Sequence, residues 1–595
     1  MENKQLSYLH EGFEIQVKEH GMNIAVCMDG FKLTYLELDQ LSDRIKTIID
    51  DNTSKSNEII GIYGEKNIYA IAAMIAVLKA GAAYLPLDIN YPDVRIEYML
   101  KQCSTNIVLG INTDDISERF DTIKFIDLLK ELDRGASIQD TDINSGKITI
   151  DNNSLAYVIF TSGSTGKPNG VMIRHKNIIN TINWRINYYH LTSKSVALQF
   201  SSISFDSSVE DIFSILSTGG TLILPSDKQK LNMAYLGNLM SEYTINHLLV
   251  VPSMYDIILK TIPDKMKTLS QVVLAGEKVN QDLVRMHYNL LPNTMLYNEY
   301  GPTENSVCST VSVLHPNKEV TIGKFIPNVF GYIVDENQKA VNNCDFGDLI
   351  LGGSGIALGY INNQSASNAK FFVDENGQYV YDSGDIVRIN SDGDFIYLGR
   401  KDREIKINGK RINLDEIENV AFEVLGISEL AVISQNINAI STIYLFLKGY
   451  MNTNKEEVIN LMSDKLPKYM LPHEIILVED IPKLPNCKTD YVTLSNHILE
   501  IKKCTENNNT DTPLTSDRLI HIFEKYTNGK KISQPDEMIE ITNLGINSLN
   551  FIIALTEIEK EYGIEIDFDD EEVAEKFTIQ GLREILKRNT TNEQG

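Results

Sequence analysis

The stretch TSGSTGKPNG, residues 161–170, reveals more about this chain than any other, because it is suited to surround a phosphate with backbone. Its glycines lack the Cβ atoms that would block close approach, and its hydroxyl side chains add donors beside exposed N–H groups. The apolar run from Leu155 to Phe160 precedes it and predicts a buried strand. Because α/β proteins place nucleotides where a strand leads into a glycine-rich turn, the stretch predicts a phosphate-binding loop.

Two familiar phosphate-binding motifs do not fit this stretch. The GK-containing phosphate loop needs four residues between its glycine and the Gly-Lys pair and a hydroxyl after the lysine, whereas Pro168 follows Lys167 here. The dinucleotide fingerprint opens a helix, where Pro168 fits poorly. A flexible surface loop is the remaining alternative, and the density of hydroxyls and the preceding strand argue against it.

Length and composition restrict the class of protein. A chain of 595 residues is too long for one core, so several domains are expected. The formal charge of −26 argues against binding to nucleic acid or to an anionic membrane. The N-terminus lacks a signal-peptide pattern, and the longest apolar run, Ala70 to Leu78, is too short to span a bilayer. Scattered cysteines indicate neither a zinc site nor disulfides, so we expect a cytoplasmic protein.

Apolar periodicity predicts an α/β region from residue 20 to about residue 400. The predicted strands are Ile59 to Tyr63, Ile107 to Leu109, Ala156 to Phe160, Leu222 to Leu224, His247 to Val251 and Gln271 to Leu274. Tyr69 to Lys79 and Asp282 to Leu290 are predicted helices. After Gly399 the pattern changes to a smaller mixed unit that ends near Leu494.

The end of the chain has a different pattern. A polar stretch without periodicity begins at residue 502 and predicts a linker. Beyond it, apolar residues at helical spacing occupy Leu519 to Tyr526, Leu549 to Tyr562 and Ile579 to Leu586. The tail is therefore predicted to be a small helical bundle.

Further motifs place groups suited to nucleotide chemistry in a fixed order. NEYGPTE (298–304) combines an aromatic ring that can stack on a purine, a hydroxyl that can donate to phosphate and a carboxylate that can hold Mg²⁺. YDSGD (381–385), GRKD (399–402), a basic predicted strand pair from Glu404 to Glu418, and NCK (486–488) follow. Each alone could be an ordinary turn.

In this order and spacing the motifs resemble those of adenylate-forming enzymes, specifically the amino-acid adenylation domains of nonribosomal peptide synthetases. The resemblance includes LTYLEL (33–38) and LKAGAAYLPLD (78–88) and extends to Lys488. In the tail, LGINSL (544–549) resembles the L-G-x-D-S-L signature of the family's carrier domain.

The resemblance implies a fold and a domain order. The expected units are an α/β adenylation core over 1–401, a mobile α+β subdomain over 402–501, a linker over 502–514 and an all-α four-helix peptidyl carrier bundle over 515–590.

It also implies a two-step reaction. An amino-acid carboxylate attacks the α-phosphorus of Mg-ATP to give an aminoacyl-adenylate and pyrophosphate, and a thiol then takes the acyl group from AMP. Phosphoryl transfer depends on positioning and charge neutralisation more than on covalent participation by the protein. The implied cofactors are ATP, Mg²⁺ and 4′-phosphopantetheine.

The resemblance assigns a set of residues to the nucleotide. They are Thr161, Ser162, Gly163, Ser164, Thr165, Gly166, Lys167, Asn298, Tyr300, Asp385 and Arg400. The loop would hold the β- and γ-phosphates, and Tyr300 would pack on adenine. Asp385 would accept the ribose hydroxyls, with Arg400 close to the same sugar.

Catalytic and hinge residues follow from the same resemblance. Thr303 would meet the α-phosphate, Glu304 would hold Mg²⁺, and Lys488 would stabilise charge that develops in the adenylation transition state. The small subdomain would then rotate on Asp402, withdrawing Lys488 and bringing residues 406–409 over the site.

Ser548 is the implied attachment point for 4′-phosphopantetheine, at the start of a predicted helix whose positive end favours a phosphodiester. An ordinary helix-capping serine fits the local sequence equally well. The arm's thiol would be the nucleophile of the second step.

The resemblance also supplies an amino-acid pocket. Its residues are Asp206, Ser207, Glu210, Met254, Val273, Ala275, Glu299, Val307, Cys308 and Lys488. Asp206 would pair with the α-ammonium group. Because carboxylates in an apolar pocket are costly without a matching cation, Glu210 and Glu299 predict a basic side chain: lysine, ornithine, diaminobutyrate or arginine.

The chain departs from the family pattern at Asn169, Cys487 and Asn547, where a lysine, a glycine and an aspartate are usual. Alternatives are a D-alanine–carrier ligase, an acyl-CoA synthetase of the same superfamily, or a non-catalytic scaffold. The implied partners are a phosphopantetheinyl transferase and a downstream condensation or other synthetase protein in trans; the need for a small MbtH-like activator is left open. Nucleic acid and membrane are not expected partners.

Overall fold

The structure is a computed structural model. It describes residues 6–53, 58–113, 123–135, 151–163, 167–341, 346–427, 429–437, 440–448, 455–483, 489–498, 518–524, 532, 554–555, 557–558 and 578–583. Among these residues, no helix combines the length and the apolar character that a membrane span requires.

The strands follow one another along the described chain. They are β1 (Ile24–Met28), β2 (Phe31–Thr34), β3 (Ile59–Gly64), β4 (Ala83–Leu87), β5 (Ile107–Ile111), β6 (Lys124–Asp127), β7 (Leu155–Thr161), β8 (Asn169–Arg174), β9 (Val196–Leu198), β10 (Thr221–Ile223), β11 (His247–Val250), β12 (Gln271–Ala275), β13 (Met295–Tyr300), β14 (Thr310–Val313), β15 (Lys324–Phe325), β16 (Val329–Val334), β17 (Phe346–Gly353), β18 (Phe371–Val373), β19 (Tyr379–Ile389), β20 (Phe395–Arg400), β21 (Glu404–Ile407), β22 (Lys410–Asn413), β23 (Leu430–Ile437), β24 (Ile440–Lys448) and β25 (Glu474–Val478).

The helices cover the sheets and separate many of the strands. They are α1 (Glu11–His20), α2 (Tyr35–Asn52), α3 (Ile68–Lys79), α4 (Asp93–Cys103), α5 (Leu128–Gly135), α6 (His175–Tyr188), α7 (Ser207–Leu216), α8 (Met233–Glu242), α9 (Pro252–Thr261), α10 (Gln281–Leu290), α11 (Gln364–Lys370), α12 (Leu414–Leu425) and α13 (Lys455–Ser463).

Two sheets with parallel centres form the α/β core that the sequence predicts. One has the order β6-β5-β3-β4-β7-β8, and the other has the order β15-β14-β13-β12-β11-β9-β10-β1-β2. Strands β11 and β12 pair in parallel and are buried along most of their length, which explains their nearly continuous apolar sequences. The predicted strands and helices of this region are confirmed, with ends that differ by one or two residues.

The remaining described strands form smaller sheets. Strands β16, β17, β19, β18 and β20 make an antiparallel sheet, β21 and β22 make a hairpin, and β23, β24 and β25 make a sheet beside α12 and α13. The predicted strand pair from Glu404 to Glu418 is right as far as Asn413 and wrong beyond it. The Asn413 side chain accepts from the N–H of Asp415 at 2.8 Å, and this cap starts α12.

The predicted four-helix carrier bundle falls largely outside the described residues and stays a prediction. The described part of the tail includes a helix over Arg518–Glu524, in which Leu519, Ile522 and Phe523 are buried. Ile579 and Leu582 are buried as well.

Candidate active site

The glycine-rich loop joins two antiparallel strands. Thr161 ends β7 and pairs with Asn169, the first residue of β8. A Cβ at Gly163 would lie 2.0 Å from the carbonyl oxygen of Lys167, so the loop path requires glycine there. Helix α6 begins only after β8, and the loop would therefore have to hold phosphate with its own N–H groups and hydroxyls. Ser164, Thr165 and Gly166 lie outside the described residues.

Residues expected at the nucleoside, Tyr300, Asp385 and Arg400, form one cluster with the expected hinge residue Asp402. The Tyr300 hydroxyl donates to Oδ2 of Asp385, and Nη1 of Arg400 donates to Oδ1 at 2.6 Å. Nε and Nη2 of Arg400 donate to the two oxygens of Asp402 at 2.7 and 2.9 Å. Asp385 and Arg400 meet because they are directly opposite in the β19–β20 ladder. Asn298 lies nearby in β13 but donates within the sheet, to the carbonyl oxygen of Thr321 at 2.8 Å.

Glu304 is buried and is bound by a guanidinium. Nη1 of Arg411 donates to its two carboxylate oxygens at 3.0 and 2.8 Å, and the Tyr360 hydroxyl donates to Oε1 at 2.7 Å. Burial alone would raise the pKa of Glu304, but Arg411 and Tyr360 hold that pKa below its usual value. The described residues contain no group of three or more His, Cys, Asp or Glu side chains placed to hold a metal. A single carboxylate suits Mg²⁺ that arrives with phosphate ligands, so Glu304 fits this ion.

Thr303 and Asp206 meet beside a lysine of the small subdomain. The Thr303 hydroxyl hydrogen-bonds to the Asp206 carboxylate, and Lys406 of β21 lies close to both Asp206 and Asp385. Burial raises the pKa of Asp206 and lowers the pKa of Lys406. Lys488, the lysine expected to act in adenylation, lies outside the described residues.

The hairpin β21–β22 lies over the core at this site. The N–H of Gly409 donates to Oε1 of Glu277 at 2.9 Å. A Cβ at Gly409, where φ is 73°, would lie 2.5 Å from Cγ1 of Val251. Nζ of Lys410 lies 5.8 Å from the centroid of the Phe205 ring. The small subdomain is therefore docked with residues 406–409 facing the site.

A second ion pair between the subdomains lies next to the loop. Nη1 of Arg95, in α4, donates to Oε1 of Glu416, in α12, at 2.8 Å, and both side chains are buried. Oε2 of Glu416 accepts from the N–H of Gly163 at 3.4 Å. The small subdomain therefore contacts the loop as well as Glu304.

The expected pocket residues come from neighbouring elements. Asp206 and Ser207 are half-buried where α7 begins, and Glu210 is buried one turn later. Ala275 of β12 pairs with Glu299 of β13. The other expected pocket residues are Val273 in β12, Val307 and Cys308 after β13, and Met254 in α9. Val273 and Cys308 share one apolar cluster, whereas Met254 is buried in a different one.

Both expected pocket carboxylates face a buried arginine of this chain. Nη1 of Arg185, in α6, donates to Oε1 of Glu299 at 2.5 Å and lies 3.6 Å from Oε2 of Glu210. The Tyr189 hydroxyl also donates to Oε1 of Glu299, at 2.6 Å. The sequence predicts that Glu210 and Glu299 both require a cation from the substrate. That prediction is wrong for Glu299, because Arg185 of this chain supplies the opposite charge.

Glu210 differs from Glu299. Neither of its oxygens has a hydrogen-bond partner among the residues that the structure describes. Burial and the nearby Glu299 raise the pKa of Glu210, and Arg185 opposes that rise. Glu210 can therefore still accept a donor from a ligand.

Sequence reasoning missed Arg185, Arg411 and the Arg95–Glu416 pair. Arg185 is the sole charged residue between Asn177 and Tyr189, and a lone arginine in such a helix is a signal that could have found it. Arg411 and Glu416 carry no such local signal, because their roles depend on how the small subdomain docks.

The chain matches the AMP-binding enzyme family over residues 13–361 and the AMP-binding enzyme C-terminal domain over residues 416–488. Bacitracin synthase 3 of Bacillus licheniformis is 34% identical over 97% of this chain and 9% of its own length. Gramicidin S synthase 2 of Brevibacillus brevis is 33% identical over 81% of this chain and 11% of its own length. The chain spans about a tenth of the length of these curated relatives.

Solved structures share the fold. PA1221 in its holo form, an NRPS protein containing adenylation and PCP domains, matches with a TM-score of 0.80 at 20% identity over 97% of this chain and 96% of that chain. The Vibrio cholerae adenylation domain AlmE, solved with glycyl-adenosine-5′-phosphate, matches with a TM-score of 0.71 at 20% identity over 84% of this chain and 99% of that chain.

Fold, site and sequence matches together define an adenylating ligase. The chain belongs to the AMP-binding enzyme family, and its adenylation region is similar to those of nonribosomal peptide synthetases.

Proposed function

We propose that this chain activates an amino acid with Mg-ATP and loads it as a thioester on 4′-phosphopantetheine carried by its own Ser548. The observation that carries the proposal is that Tyr300 contacts Asp385, that Glu304 lies close to Asp206, and that residues 303–305 pack against β8, the strand after the glycine-rich loop. These groups suit a ribose, a metal-bound phosphate and a phosphate chain in one site. The similarity to the synthetases named above supports a place in nonribosomal peptide synthesis.

The docked position of the hairpin β21–β22 is the one proposed for the second half-reaction, in which the thioester forms. Arg411 binds the carboxylate proposed for Mg²⁺, and Glu416 accepts from a loop N–H proposed for phosphate, so this orientation fits a site from which Mg-pyrophosphate has left. Rotation on Asp402 would undo both contacts and bring Lys488 to the site for adenylation. The proposed division of the core and small subdomain falls between residues 401 and 402.

The proposed substrate is an α-amino acid with a basic side chain. Asp206 would pair with its α-ammonium group, and Glu210 would accept from its side chain. The support is the buried carboxylate of Glu210, whose oxygens have no hydrogen-bond partner among the described residues and lie no nearer than 3.6 Å to Arg185. Glu299 no longer supports this choice.

An exchange assay tests the activation step. The full chain should incorporate labelled pyrophosphate into ATP in the presence of basic amino acids, and much less with leucine, glutamate, D-alanine or a fatty acid. Exchange with D-alanine alone, or with a fatty acid alone, would favour the ligase alternatives, and no exchange with any acid would refute activation.

The carrier step needs a separate measurement. Incubation with coenzyme A and a phosphopantetheinyl transferase should add one arm, seen by intact mass, and Ser548→Ala should abolish the addition. A Ser548→Ala chain that still gained the arm would refute this attachment site. The proposed downstream partner is a synthetase protein that accepts the aminoacyl thioester.

A further inference from the structure

The deep end of the proposed substrate pocket is closed by Arg185. The side chains of Arg185 and Glu210 are 0% exposed, and that of Glu299 is 2% exposed. Asp206, Ser207 and Ala275 nearer the adenylate are half-buried instead. Burial of the proposed pocket residues therefore increases from Asp206 towards Glu210 and Arg185.

Arg185 is fixed from several sides. Besides the two glutamates, its guanidinium lies 5.1 Å from the centroid of the Tyr189 ring, and Nη2 lies 3.3 Å from Nε2 of His247. Burial, followed by the Arg185 charge, lowers the pKa of His247, so this imidazole is neutral and can accept from Arg185. Gln271 contacts the other ring nitrogen of His247 at 3.0 Å. These contacts fix the guanidinium beside Glu210 and Glu299.

More than one buried carboxyl group faces Arg185 at this end. Arg185 carries one positive charge against the carboxylates of Glu210 and Glu299, and its short contact is with Glu299. Asp211, the next residue along α7, is also buried, and burial raises its pKa to about 7. Neither Glu210 nor Asp211 has a hydrogen-bond partner for its carboxyl oxygens among the described residues, and of the two it is Glu210 that approaches Arg185, at 3.6 Å.

From these observations we infer that Arg185 is a specificity-determining residue, which restricts the pocket to short basic side chains whose N–H donor reaches Glu210. Diaminobutyrate and histidine belong to this class, whereas lysine and arginine are too long unless Arg185 moves. The inference rests on the proposed function, and it adds a limit on length that Glu210 alone does not impose.

The test compares kcat/KM for pyrophosphate exchange with diaminobutyrate, histidine, ornithine, lysine and arginine. For the full chain, kcat/KM with diaminobutyrate or histidine should exceed kcat/KM with lysine by at least about tenfold. One methylene in a fitted pocket changes discrimination between substrates by about 10- to 200-fold. Lysine or arginine used as well as the short side chains would overturn the inference while leaving the proposed function intact. No exchange with any amino acid would instead refute the proposed function.

A double variant, Arg185→Met with Glu299→Gln, tests the cause. The double variant removes both charges of the Arg185–Glu299 ion pair, so that neither stays buried without the other. Glu210 is retained. The ratio of kcat/KM for the best short side chain to that for lysine should fall at least about tenfold. An unchanged ratio would overturn the inference.

Two further measurements separate specificity from general damage. Lys176→Met removes one positive charge from the same helix, where its side chain contacts Asn153 at 2.7 Å, and it should leave the ratio unchanged. Binding of non-hydrolysable aminoacyl sulfamoyl adenosines, measured by calorimetry, should show the same change of preference in the double variant. Equal losses for short and long analogues would assign Arg185 a purely structural role and overturn the inference.

Discussion

Nη1 of Arg411 binds both oxygens of Glu304, at 3.0 and 2.8 Å, and so joins the small subdomain to the carboxylate that fits Mg²⁺. The positive charge of Arg411 competes with Mg²⁺ for this carboxylate. The docked orientation therefore disfavours Mg²⁺ at Glu304, and on the proposed function a rotation of the small subdomain would free this carboxylate for the metal.

Gly409 tests the docked orientation directly. Gly409→Ala places a Cβ 2.5 Å from Val251 only when the hairpin is docked, and such overpacking costs ~1–3 kcal/mol. We expect thioester formation to slow by about 10- to 100-fold while pyrophosphate exchange changes less than about threefold. Both rates can be measured on the same preparation.

Gly426→Ala is the matched control, because Gly426 also has a positive φ, 65°, but has no atom within 4 Å of the position of a Cβ. Gly426→Ala should change the rate of thioester formation no more than the rate of pyrophosphate exchange. Equal effects of the two substitutions would contradict the docking account.

Glu304→Gln should slow adenylation by about 10²–10³-fold, the size found for loss of a group that stabilises developing charge. Glutamine keeps the shape of the side chain but is a poor Mg²⁺ ligand. Exchange rates measured over a range of Mg²⁺ concentrations should show a higher requirement for the ion. Glu319→Gln, at an exposed carboxylate paired with Arg388, should behave like the parent chain, and an unchanged Mg²⁺ requirement in Glu304→Gln would refute the metal role.

The raised pKa of Glu210 predicts a pH dependence of substrate binding. Glu299, Arg185, Asp206 and Asp211 surround this carboxyl, and burial is the main cause of the rise. Only the ionised carboxylate pairs with a cation, so the KM for a basic amino acid should increase as the pH falls through the raised pKa, at a pH above the ordinary value of 4.5. Glu210→Gln should raise the KM and remove this dependence; a parent profile that is flat, or retained by Glu210→Gln, would count against it.

The buried ion pair between Arg185 and Glu299 leads us to expect an effect on the free energy of unfolding. Arg185→Met leaves Glu299 buried without its cation, and breaking a buried pair in this way costs ~3–5 kcal/mol. Urea unfolding should show this loss, and adding Glu299→Gln should recover part of it. Additive losses from the two substitutions would show that the residues do not interact.

Apolar patterning was enough to predict the core of the fold. Strands β11 and β12 are continuous apolar runs, and such runs are the signature of strands buried on both faces. The end of β22 was missed because the side chain of Asn413, rather than any change in apolar pattern, starts α12.

The candidate site could be predicted from the sequence only in part. The family resemblance assigned Tyr300, Asp385 and Arg400 to one nucleotide, and in the structure Tyr300 and Arg400 each contact Asp385. The partner of Glu299 is 114 positions away along the chain, so no local pattern links it to Arg185. The free-energy cost of burying a carboxylate predicts that a cation lies beside it. That cost does not tell whether the substrate or the protein supplies the cation.

Product analysis tests the central claim most directly. The full chain should be incubated with Mg²⁺, an α-labelled ATP and the basic amino acid that gives the fastest exchange. The account predicts labelled AMP and aminoacyl-adenylate together with pyrophosphate, formed only when the amino acid is present. Labelled ADP as the product, or ATP consumption that does not depend on the amino acid, would contradict it.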